Sequence, residues 1–170
     1  MRTFLGIAFA SVVAALISPW LHGVALALIE PEPFSLASLA IDAIASLLQT
    51  ASYLLFFGLS WLILKTTGRL SWWMLGVLEG LLRCAVLGLA ATLFQQHLIE
   101  AFRNVGLRIP LMMVLPLRDM ITFNMYVVSL TQSPPPYRDS AAIGILTFVL
   151  AALVSGLAGG FVFRLATGRR

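Results

Sequence analysis

An all-α integral membrane protein is the fold class this sequence predicts, and three observations carry the prediction. Thr3 to Ile29, Ala43 to Leu64 and Ala141 to Phe163 contain no Asp, Glu, Lys or Arg, while Trp72 to Phe94 contains only Glu79 and Arg83. Each stretch exceeds the ~20 apolar residues needed to cross a bilayer's hydrocarbon core. The composition agrees, because 60% hydrophobic and 11% charged residues over 170 positions leave too little polar surface for a water-soluble globule. Small side chains also recur every four residues in three of the four stretches, the spacing that lets helices pack closely in lipid. The expected architecture is one membrane domain, residues 1–170, built as a four-helix transmembrane bundle. Its helices fall at about 3–28, 36–64, 72–96 and 141–164, with a short external interfacial subdomain at about 97–140 between the third and the fourth.

The first predicted helix contains Pro19, which removes a backbone hydrogen bond and bends a helix at a point where its neighbours must compensate. Met1-Arg2, the apolar run and Ala25-Leu26-Ala27 together have the outline of a signal peptide. The run lasts about 26 residues, however, where a signal core lasts ~7–15, so an uncleaved helix is expected. Glu30-Pro31-Glu32-Pro33 makes a stiff acidic turn.

Ser35 is the candidate N-cap of the second helix. From Leu36 to Leu64 the helical pattern would extend ~43 Å, longer than the ~30 Å hydrocarbon layer, so its first turns should protrude. Ser35, Ser38, Asp42, Ser46, Gln49 and Tyr53 recur every three or four residues and form a polar stripe. Asp42 fits a solvated face of an overlong helix. Gln49 and Tyr53 lie deep enough to require partners.

Lys65 to Ser71 is a short basic turn containing Gly68, and Trp72-Trp73 marks the membrane interface where the third helix begins. Beyond Gln95-Gln96-His97 a short amphipathic pattern runs to Gly106. Residues 107–132 are apolar but interrupted by Pro110, Pro116 and the pair Arg118-Asp119. Ile121, Phe123, Met125 and Val127 alternate with polar neighbours, which permits a short strand, and this region is expected to lie on the outer bilayer surface. Ser133-Pro134-Pro135-Pro136 is a rigid connector to the fourth helix.

The charges orient this scheme. With four spans and the N-terminus inside, the inner segments hold Arg2, Lys65, Arg69, Arg164, Arg169 and Arg170 and no acid, as basic residues favour the cytoplasmic side. Both termini are therefore expected to be cytoplasmic. The net charge of +4 does not suggest nucleic acid, since the cations sit at helix ends and form no patch interleaved with aromatics.

The sharpest candidate site is on the third helix. Gly76, Gly80, Cys84, Gly88 and Thr92 form a four-residue repeat of small side chains, matched by Gly6, Ala10, Ala14 and Ser18 on the first helix. The fourth helix carries two such lines, one through Thr147, Ala151, Ser155 and Gly159 and one through Ala152, Gly156 and Gly160. The first, third and fourth helices should thus form a tight core, with the Leu- and Phe-rich second helix at its periphery. Glu79 and Arg83 lie one turn apart on the packing side. A lone charge near mid-membrane costs at least ~2.5–3.5 kcal/mol, so the two are expected to pair. That pair either locks the third helix to its neighbours or takes part in ion coupling.

No catalytic, metal or cofactor set stands out. Cys84 has no second thiol to join, and there is no His-Glu cluster of zinc-site spacing. His22 and His97 differ too much in depth to make a convincing pair of haem ligands. Asp42 and Asp119 are ordinary interface acids unless the fold brings them together. The functional expectation is a small polytopic protein of a bacterial inner membrane that acts without enzymatic chemistry. It would pack as an accessory or oligomerising subunit against a membrane-protein partner or copies of itself. The alternatives are a small transporter or channel using Glu79 and Arg83, and a lipid-active enzyme using Asp42 or Asp119.

Overall fold

The computed structural model describes residues 1–29, 49–93, 117–132 and 137–168, together with positions 44, 47, 134 and 135. Among the described residues the chain is helical, with five helices and no strand: α1 Arg2–Ile29, α2 Thr50–Thr66, α3 Trp72–Leu93, α4 Leu117–Gln132 and α5 Tyr137–Thr167. Three of them hold stretches long and apolar enough to cross a membrane, at Arg2–Leu21, Trp72–Ala90 and Arg138–Thr167. α2 is apolar too, but its 17 residues reach only ~26 Å, short of the ~30 Å layer. The earlier part of the predicted second helix, with Ser35 and Asp42, lies outside the described residues. Among the described residues there are thus three helices of spanning length and one shorter apolar helix.

α5 runs antiparallel to both α1 and α3, and close approaches at glycines define the two crossings. On the α3 side, Gly76 faces Gly156, Gly80 faces Ala152, and Gly160 lies against the Trp72 carbonyl; a Cβ at Gly80 would stand 2.9 Å from the Ala152 oxygen. On the α1 side, a Cβ at Gly159 would stand 2.8 Å from the Ala10 carbonyl, and one at Gly6 would stand 2.7 Å from Thr167 Cγ2. The line Ala152, Gly156 and Gly160 thus serves α3, while Gly159 of the other line serves α1. Small residues at a crossing let helix backbones approach closely.

α2 contributes bulk where the other three contribute small residues. It buries Tyr53, Phe56, Phe57, Ser60 and Leu64, and the Phe57 ring presses on Gly159. Its opposite face, with Leu55, Leu59 and Leu62, is exposed. The turn into α3 is a Schellman-type stop: Arg69 N–H donates to the Leu64 carbonyl at 3.0 Å and Gly68 N–H to the Lys65 carbonyl at 3.3 Å. Gly68 sits at φ +68°, a left-handed conformation that glycine adopts without a Cβ clash. Ser71 then caps α3 by accepting from Met74 N–H at 3.4 Å.

Residues 117–132 correct the strand expectation. They form a helix, α4, that packs beside α3 and α5: Phe123 meets Gly88 and stands edge-on to Phe148 at 5.6 Å, while Tyr126 covers Gly144. Met125, which the alternating pattern would align with Phe123, is 63% exposed, whereas Asn124 is buried. The helical period therefore governs this segment. Its contacts fall along the flanks of the apolar helices. The remainder of the predicted external subdomain, about 97–116, lies outside the described residues.

Candidate functional site

Glu79 and Arg83 meet where α1, α3 and α5 converge. Their i, i+4 spacing on α3 puts both side chains on one face, and Arg83 Nε lies 3.1 Å from Glu79 Oε1. Both are sealed from solvent, at 0% and 1% exposure. The pair lies midway along the apolar helix, since Arg83 is ~16 Å from Trp72 along the axis.

Arg83 is a joint between four helices. Nη2 donates to Ser155 Oγ at 2.8 Å and to the Ala152 carbonyl at 3.0 Å, both on α5. Nη1 donates to Ser18 Oγ of α1 at 3.3 Å, one residue before Pro19. The guanidinium lies 4.4 Å from the centre of the Tyr53 ring of α2, a desolvated cation–π contact of the stronger kind. Ser155 Oγ in turn reaches the Ala152 carbonyl at 3.1 Å. A planar, permanently charged side chain with several donors suits this role better than lysine would.

Glu79 is held differently. Its two oxygens accept no hydrogen bond, and its bond to Arg83 is an ion pair without good N–H alignment. Oε2 points at the α3–α5 crossing, where a Cβ at Gly156 would stand 2.7 Å away. Gly156 is therefore small for two reasons: the backbone of Gly76 and the carboxylate of Glu79.

The other predicted site residues divide around this centre. Gly76, Gly80, Ala152, Gly156 and Gly160 form the α3–α5 seam, and Gly88 receives Phe123 of α4. Tyr53 reaches Arg83. Gln49 is 1% exposed and its Nε2 lacks a hydrogen-bond partner. Asp42, His97 and the side chains of His22, Arg118 and Asp119 lie outside the described residues. Cys84 is half-buried in α3. Among the described residues no three His, Cys, Asp or Glu side chains gather as a metal site.

Two partners were missed from sequence. Ser18 and Ser155 stand in the small-residue lines as if only their size mattered, yet both hydroxyls engage the Arg83 guanidinium. The available signal was a hydroxyl within an otherwise Gly/Ala repeat, on a helix facing a buried charge. Comparison of the chain with family models, curated proteins and solved structures yields no match.

Proposed function

We infer that this chain is a multi-pass protein of a bacterial inner membrane, with both termini cytoplasmic and residues 36–64 as a fourth span. It acts by helix packing, as a non-enzymatic accessory or oligomerising subunit alongside a membrane-protein partner or copies of itself. The observation that carries this reading is the use made of Arg83. Its donors go to Ser18, Ser155 and the Ala152 carbonyl and its face to Tyr53, so the most costly group in the apolar interior serves to hold four helices together. Buried charge retained for specificity of assembly is a recognised use of such pairs.

The glycine seam between α3 and α5 is filled within the chain, so a partner must use another face. A groove of about 180 Å³ between α1 and α5, lined by Leu21, Thr147, Leu150, Ala151 and Val154, offers an apolar seat for a helix. Photo-crosslinkers placed at Leu150 and Val154 in native membranes should capture a discrete membrane protein or a second copy. Capture of lipid alone at both positions would end this reading.

A second reading is favoured by one observation, the absence of any hydrogen bond to Glu79 in a fully buried setting. In a small transporter or channel, that carboxylate would carry a proton or cation. It predicts flux in proteoliposomes that falls in Glu79→Gln while the protein remains assembled.

A further inference from the structure

A different groove, of about 390 Å³, runs along the outward face of α2. Its notch is Gly58, where an added Cβ would meet nothing within 4 Å. Ala51, Leu55 and Leu62 line it above and below. Positions 51, 55, 58 and 62 follow one stripe of the helix, and the next position on that stripe is Lys65. From Ala51 to Leu62 the stripe measures ~16 Å. One leaflet contributes ~15 Å of a ~30 Å hydrocarbon core.

The end of the groove marked by Lys65 is cationic. Because α1 and α3 both run antiparallel to α5, Arg2, Lys65, Arg69 and Arg164 collect at one end of the bundle, and the described residues there include no Asp or Glu. Lys65 Nζ sits 4.7 Å above the Trp61 ring and the Arg164 guanidinium 6.0 Å from the Trp72 ring. Lys65, Arg69 and Trp73 are all exposed. Aromatic rings of this kind lie at headgroup level, and basic clusters beside them favour anionic over zwitterionic lipid.

We propose that the α2 groove holds one acyl chain of an anionic phospholipid, with the lipid phosphate against Lys65 and Arg69. Charge and length select this occupant together. A soluble anion would engage the cations and leave the apolar stripe empty, whereas a neutral lipid would fill the stripe and ignore the cations. The proposal rests on the membrane reading above, but not on any protein partner.

Native mass spectrometry of the full chain, released from bilayers of equimolar phosphatidylglycerol and phosphatidylcholine with identical acyl chains, tests it. Wild-type protein should retain phosphatidylglycerol preferentially. Each of Lys65→Gln and Arg69→Gln should lower that preference about fivefold, and Gly58→Leu should reduce retention of the lipid by filling the notch. Arg138→Gln, at the other end of α5, should leave it unchanged. Equal retention of the two lipids, a preference that survives the Lys65→Gln/Arg69→Gln pair, or a preference erased by excess inorganic phosphate would each overturn the proposal. Failure to incorporate into bilayers at all would instead remove the membrane reading on which it stands.

Discussion

Arg83 of α3 and Ser155 of α5, 72 positions apart in the chain, are joined by a 2.8 Å hydrogen bond in the buried centre of the bundle. The same guanidinium neutralises Glu79 at 3.1 Å. Removing either member of that ion pair has unequal consequences.

Arg83→Leu leaves the Glu79 carboxylate buried without its cation and deprives Ser18 and Ser155 of their donor. A loss of about 3–5 kcal/mol is expected, the cost of orphaning one member of a buried pair. Glu79→Gln keeps the Arg83 contacts to α1, α2 and α5 and should cost less. Replacing both residues by Leu should recover part of the Arg83→Leu loss. Thermal unfolding in detergent of the three variants provides the ranking; a double variant weaker than Arg83→Leu would count against the pair as described.

Two glycines of this chain should respond oppositely to the same substitution. Gly156→Ala sets a methyl group into the Gly76 backbone and against Glu79 Oε2, forcing α3 and α5 apart at a cost of about 1–3 kcal/mol. Gly58→Ala enters open space in a helix interior, where Ala is favoured over Gly by about 0.5–1 kcal/mol. The midpoint of thermal unfolding should fall for the first and hold or rise for the second.

Two buried serines make a similar contrast. Ser60 is fully buried on α2 and its Oγ has no hydrogen-bond partner, so Ser60→Ala should be neutral or stabilising by about 1 kcal/mol. Ser155→Ala removes an acceptor from a charged donor and should cost about 1.5–3 kcal/mol. Equal effects of the two changes on the melting temperature would contradict this assignment.

α4 meets the bundle through aromatic rings, Phe123 on Gly88 and Phe148 and Tyr126 on Gly144. Phe123→Ala should release it while the α1–α3–α5 seams persist. Hydrogen exchange would then rise in residues 117–132 and stay low through 72–93, as expected when one packed unit opens below the global unfolding energy.

Much of the helical core is visible in the chain because a long run of apolar residues satisfies its own backbone most simply as a helix. The runs beginning at Thr3, Trp72 and Ala141 accordingly sit in α1, α3 and α5. Residues 117–132 were harder, since their apolar residues fit a two-residue and a four-residue period at once. In the structure the segment is a helix whose rings meet Gly88, Gly144 and Phe148.

Sequence by itself determined which residues had to find partners: a charge in a hydrocarbon-like interior cannot remain alone, and the spacing of Glu79 and Arg83 supplied the nearest remedy. The tertiary structure alone decided the rest. It turned Ala152, Gly156 and Gly160 of α5 toward α3 and Gly159 toward α1, and set Ser18 and Ser155 on the guanidinium. Local spacing fixes the face on which a side chain stands. The element opposite that face follows from how several helices fill space together, and no stretch of the chain carries that information alone.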